Sequence, residues 1–155
     1  MAARGLLEVG STLPPLRHEV TVTSVVLGAL ASRDWRPMHH DPGFARERNG
    51  VPDIFLNTPH QALWIERYLT DWFGPLARIG RLRFRMSRPV FPGEEMTIGA
   101  TVTGVDTGQA GVAWVEVEIE VRAAGELSTA GTARIAIPAA EGDNPWSLTG
   151  DDWKP

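Results

Sequence analysis

The sequence contains no cysteine. Disulfides, thiolate metal sites and a cysteine nucleophile are therefore all excluded. It has no long hydrophobic run either. The longest near the start, "VVLGALA" at residues 25–31, is too short to cross a bilayer, and it lies behind a charged stretch where no secretory leader would sit. Basic excess is missing too: the formal charge is −4 and the pI about 5.5, which argues against a nucleic-acid footprint. No internal repeat or low-complexity tract appears. A soluble, cytoplasmic protein with neither membrane nor nucleic-acid partners is expected, and 155 residues suit one domain with a real core.

Two periodicities organise what is there. "TPHQALWIERYLTDWFG", residues 58–74, reads as the best helix. Thr58 is a candidate N-cap, Pro59 sits in the first turn, and Gly74-Pro75 stops it. Its apolar face is very wide, so it should be largely enclosed. After it the chain alternates with period two. Leu82, Phe84 and Met86 oppose Arg81, Arg83 and Arg85; Ile98, Ala100 and Val102 follow; Val115, Val117, Ile119 and Val121 oppose Glu116, Glu118 and Glu120; "TARIAIP" closes the set. Turns at Pro92-Gly93, "GVDTGQAG" and "AAGE" make this an antiparallel meander with one apolar face. Such a sheet should wrap the helix. Upstream, a Pro-rich lead-in is expected to precede a short strand at 17–22. A helix capped by Thr23 or Ser24 should then run to residue 31, and "GFARERNG" should form one or two helical turns closed by Asn49-Gly50. Residues 139–155 form an acidic tail in which Trp146 and Trp153 suggest docking.

The chemistry concentrates in "DWRPMHHDP", residues 34–42, which holds two carboxylates and two imidazoles in nine residues. A spacing of five puts Asp34 and His39 about 140° apart on a helix and on opposite faces of a strand. Only a turn could converge them, and Pro37 supplies one. Simpler roles exist: Asp34 could cap the Pro37 turn, and Asp41 the turn after it. A metal site from His39, His40 and Asp41 lacks standard ligand spacing, and neither metal nor cofactor is expected. His18 and His60 read as structural, and the arginine ridge at 81, 83 and 85 as a solvated face. A carboxylate and an imidazole joined by a turn can hold a water between them. Beside a helix N-terminus, that suits adding water to, or removing it from, a carbonyl-conjugated double bond.

"SRDWRPMHHDP" resembles the hydratase motif of the MaoC-like enoyl-CoA hydratases and dehydratases, in which Asp, four residues and His form the dyad. "EVGSTLPPL", "PDIFLNTPHQALWIERYLTDWFG" and "RFRMSRPVFPGEEMTIGATV" resemble the family's lead-in, central helix and following strands, so the likeness spans about residues 8–137. Within the family, the small MaoC-type subunit of heteromeric hydratases in steroid side-chain catabolism looks most similar. The resemblance implies an α+β hotdog fold, an antiparallel sheet of about five or six strands wrapped around one long helix, over residues 1–138. It implies hydration of a trans-2-enoyl-CoA with Asp34 mainly as general base and His39 managing the α-carbon proton, or the reverse. The Thr58 amide would polarise the thioester carbonyl, and Asn57, Arg36 and His40 are further candidates for substrate contact. Two departures stand out: Arg36 replaces the usual Asn, and Thr58 the usual Gly. The implied partners are an acyl-CoA and a second hotdog, identical or not. A hotdog thioesterase, a non-catalytic partner subunit and a non-turnover acyl-CoA-binding module are the competing classes.

Overall fold

The computed structural model describes residues 7–109 and 111–155. The chain runs β1 (Thr12–Glu19), α1 (Val22–Ala31), a 3-10 turn (Pro37–His39), α2 (Pro42–Asn49), α3 (Thr58–Phe73), then β2 (Arg78–Met86), β3 (Glu95–Asp106), β4 (Val112–Ala123) and β5 (Glu126–Pro138). The five strands form one antiparallel sheet in the order β1-β3-β4-β5-β2.

Period-two alternation decides the sheet's faces. On β4, Val115, Val117, Ile119 and Val121 are buried while Glu116, Glu118 and Glu120 are exposed. The buried set joins Ile98 and Val102 of β3 and Ile135 of β5 in one core with Ile65, Tyr68 and Leu69 of α3. Ile65 and Leu69 are essentially inaccessible, each stabilising the helix–sheet packing by about 1.5–3 kcal/mol. The β4–β5 hairpin turns on Ala124 (φ 51) and Gly125 (φ 80), a two-residue loop whose paired positive φ values match the strands' twist.

Two expectations need correction upstream. The first strand occupies Thr12–Glu19 rather than 17–22 and contains Pro14 and Pro15. It is tolerated because β1 is an edge strand, and its register shifts between Leu13 and Leu16, so the prolines remove no essential ladder donor. Helix α1 is capped by Thr21, not Thr23 or Ser24. Ser24 is instead the reciprocal half of a capping box, with both N–H···O distances 3.0 Å.

The tail segment lies on the sheet's outer face. Trp114 shares that face with the β4 glutamates yet is buried, because Trp153 packs on it with ring centroids 5.0 Å apart. Arg78 stacks on Trp153 at 3.6 Å and donates to the Leu148 carbonyl at 2.8 Å. Trp146 remains 57% exposed, so of the two tryptophans Trp153 does the docking.

Candidate active site

Helix α1 delivers the carboxylate. It ends in a Schellman arrangement: Arg33 turns left-handed (φ 54), its N–H bonds to the Leu30 carbonyl at 3.0 Å, and the Asp34 N–H reaches back to the Ala29 carbonyl at 2.9 Å. Asp34 is thus pinned by its own backbone at the helix end. Pro37 then opens the 3-10 turn, and the His40 N–H closes it on the Pro37 carbonyl at 2.9 Å. The turn brings His39 Nε2 to 3.4 Å from Asp34 Oδ2. Asp34 does not cap the turn: the N-cap is Arg36, with no side-chain cap bond. Asp41 does cap α2, accepting from the Phe44 N–H at 3.0 Å, and Gly50 closes α2 at φ 67.

His39 is 2% exposed. Its Nδ1 lies 2.8 Å from the Phe55 carbonyl, and a carbonyl only accepts, so the proton sits on Nδ1 and the neutral ring keeps its lone pair on Nε2. That Nε2 is buried without a hydrogen-bond partner among the described residues. Burial lowers the His39 pKa from 6.5, outweighing the Phe55 carbonyl and the Asp34 charge, which raise it. Asp34 is held far below the usual carboxylate range, mainly by its hydrogen bonds from Arg36. At neutral pH the pair is therefore a neutral imidazole facing a carboxylate, two acceptors side by side. A donor reaching the pair would find two acceptors to bridge.

Two neighbours lock the carboxylate. Arg36 donates to both oxygens, Nε to Oδ1 at 2.8 Å and an NH2 to Oδ2 at 2.7 Å. Asn57 donates from Nδ2 to Asp34 Oδ2 at 3.1 Å and to Ser32 Oγ at 2.7 Å. The Asn57 Oδ1 accepts from the His60 N–H at 3.1 Å and so caps α3. The cap is Asn57, then, and Thr58 is the first helical residue, a correction to the expected Thr58 cap. With both ends of its amide committed to protein partners, buried Asn57 positions Asp34 against the start of α3.

That helix start has a single unclaimed donor in its first turn. The His60 N–H is taken by the Asn57 side chain and the Gln61 N–H by the Asn57 carbonyl at 3.1 Å. Pro59 has no N–H. The Thr58 amide donates to no acceptor among the described residues, which leaves it available, at the positive end of α3, for a developing negative charge. Thr58 is exposed, and so is His40, which takes no part in the hydrogen bonds around Asp34.

His18 and His60 both pack on Trp64. The His18 ring lies 4.1 Å from it, and the Trp64 Nε1–H donates to His60 Nε2 at 3.0 Å. Ser32 and the Phe55 carbonyl are the site partners that sequence reasoning missed. Among the described residues, no three histidine, aspartate or glutamate side chains gather as a metal site would need.

Residues 10–124 match the model of the MaoC like domain family. The chain is 37% identical over 100 residues to the 3-oxo-4,17-pregnadiene-20-carboxyl-CoA hydratase beta subunit of Mycobacterium tuberculosis, covering 64% of this chain and 77% of that one. Its structure is similar to the crystal structure of the ChsH1–ChsH2 complex from the same organism, with a TM-score of 0.76 and 30% identity over 84% of this chain and 98% of the other. The (R)-hydratase from A. caviae involved in PHA biosynthesis shares the fold, with a TM-score of 0.76 and 23% identity over 88% and 100% of the two chains. The two-acceptor pair at the end of α1, the free amide at the start of α3 and the sheet that encloses that helix thus sit in a member of the MaoC-like dehydratase family, with the hotdog fold.

Proposed function

We propose that this protein is an enoyl-CoA hydratase, adding water reversibly across the double bond of a trans-2-enoyl-CoA. The observation that carries this reading is the Nε2 lone pair of His39, buried, unpartnered and 3.4 Å from an anionic Asp34 oxygen. A water donating one hydrogen to each acceptor has its oxygen lone pairs directed at the substrate. As that oxygen bonds to the β-carbon, one water proton passes to His39 Nε2 and the π electrons move onto the thioester oxygen, where the Thr58 N–H receives the charge. The imidazolium, stabilised by Asp34, then returns the proton to the α-carbon. The Arg36 pair makes Asp34 a weak base, which favours His39 as the proton carrier and Asp34 as the group that orients water. A thioesterase would instead direct the same water at the thioester carbon and release free CoA. Membership in the MaoC-like family and the hydratase relatives support the reading.

A narrower reading concerns substrate and assembly. The likeness to the beta subunit of a steroid-type CoA hydratase and to a two-protein complex favours a heteromeric enzyme, in which a second hotdog subunit completes the site and leaves room for a bulky ring system. Full activity of the isolated chain on short linear enoyl-CoAs would remove this narrower reading and leave a homomeric hydratase.

The test is a panel of linear and polycyclic enoyl-CoAs, followed by absorbance of the conjugated thioester and by a thiol reagent. Loss of absorbance without free CoA supports the hydratase. Thiol appearing at a matching rate indicates a thioesterase, and no change with any substrate or added partner leaves a scaffold.

A further inference from the structure

The sheet's two edges differ in what they offer another chain. Edge β1 carries Pro14 and Pro15, a register shift and a cross-strand ion pair from Arg17 to Glu95, all features that blunt pairing. Edge β2 is nine residues long and proline-free and, among the described residues, bonds to β5 alone. Its inward side chains Leu82, Phe84 and Met86 are only half-buried, whereas Arg81, Arg83 and Arg85 are exposed on the outer face. Arg83 and Arg85 make no ion pair among the described residues. Of the β4 glutamates on that face, Glu116 pairs with Arg134 and Glu120 with Arg122, while Glu118, in register with Arg83 across Thr132, makes no ion pair among the described residues. They also stand two strands away, about 9.5 Å.

A two-fold pairing of β2 with itself is antiparallel about an axis normal to the sheet. Both outer faces then lie on the same side, and every register that overlaps residues 81–85 sets arginine beside arginine at cross-strand contact distance, where like charges are destabilising. We infer that edge β2 is built to reject a second copy of this chain and to accept a non-identical hotdog subunit whose facing edge strand carries acidic side chains on its outer face. The inference rests on the two-subunit reading above. The half-buried Leu82, Phe84 and Met86 supply the adhesive surface, and the arginine column selects who covers it.

The test uses the chain itself as the acidic partner. Full-length wild type is mixed with a mass-tagged R83E/R85E variant and followed by native mass spectrometry and sedimentation, a readout independent of turnover. In an equimolar mixture at about 0.05 M salt the ratio of mixed to like dimers should exceed its statistical value about tenfold or more, and it should fall towards that value at about 0.5 M salt as screening sets in. The R83Q/R85Q variant, folded by circular dichroism, should self-associate more tightly than wild type at low salt. A statistical mixture at low salt, association absent from every combination, or wild type dimerising as tightly as R83Q/R85Q would each overturn the proposal. The last result would assign the edge to a second copy.

Discussion

Arg36 holds Asp34 with two parallel hydrogen bonds of 2.8 and 2.7 Å, two residues apart on the same turn. The guanidinium fork matches the carboxylate, so the charge on Asp34 is neutralised locally without being removed. Replacing Arg36 by Asn should raise the Asp34 pKa and loosen the carboxylate. The measurable result is a rise in the Asp34 carboxyl pKa, followed by its side-chain carbon chemical shift on titration. An Asp34 titration that does not move would refute this role.

Acid should destabilise the fold through its histidines. His18, His39 and His60 all have pKa values lowered from 6.5, with burial the first cause of each. Their folded pKa values lie below the unfolded one, so the unfolded chain binds protons first. Their contribution is present above about pH 6.5 and is lost as pH falls through the folded values. Urea midpoints at pH 7.5 and pH 5 should differ accordingly, and His60→Gln should shrink the difference. For turnover the same shift predicts an acid limb below pH 6.5, where His39 protonates and loses its lone pair.

Asn57 serves two ends at once, so its substitutions should separate stability from chemistry. Asn57→Ala removes the cap of α3, costing about 1 kcal/mol, and removes its hydrogen bonds to Ser32 Oγ and Asp34 Oδ2, about 1–3 kcal/mol more. Asn57→Ser can restore the cap but cannot reach Asp34. The melting temperature should recover partly in the Ser variant while turnover does not. Equal recovery of both would reduce Asn57 to a cap.

Helices α1 and α3 meet where a side chain has no room. A Cβ on Gly28 would come within 1.9 Å of His60 Nδ1, a clash with a ring that Trp64 holds in place. Gly28→Ala should cost about 1–3 kcal/mol, read as a fall in the urea midpoint. The added change His60→Ala should recover part of it, because the two sites touch. Additive losses would contradict the contact.

The sheet and its enclosed helix were legible because side-chain period reports burial directly: the Val/Glu alternation of β4 and the wide apolar face of α3 could belong to nothing else. The first strand was misplaced because Pro14-Pro15 argues against a ladder, and only the sheet order makes it an edge. The dyad could be named from its spacing and the proline between its members, but its state could not. The αL turn at Arg33 uses a residue with no glycine or asparagine signal. Two adjacent residues, Asn57 and Thr58, were both chemically fit to cap α3. The Phe55 carbonyl, which fixes the His39 tautomer, is a backbone acceptor that any residue could have supplied.

The central claim is that the Nε2 of His39 carries the proton between water and the α-carbon. The most direct measurement is the initial rate of enoyl-CoA hydration by wild type, Asp34→Asn and His39→Ala, each first shown to be folded and equally assembled. Turnover should fall by about 10²–10⁴-fold in each variant, with His40→Ala close to wild type. A His39→Ala enzyme that hydrates at the wild-type rate, or a His40→Ala enzyme that does not, would contradict the account.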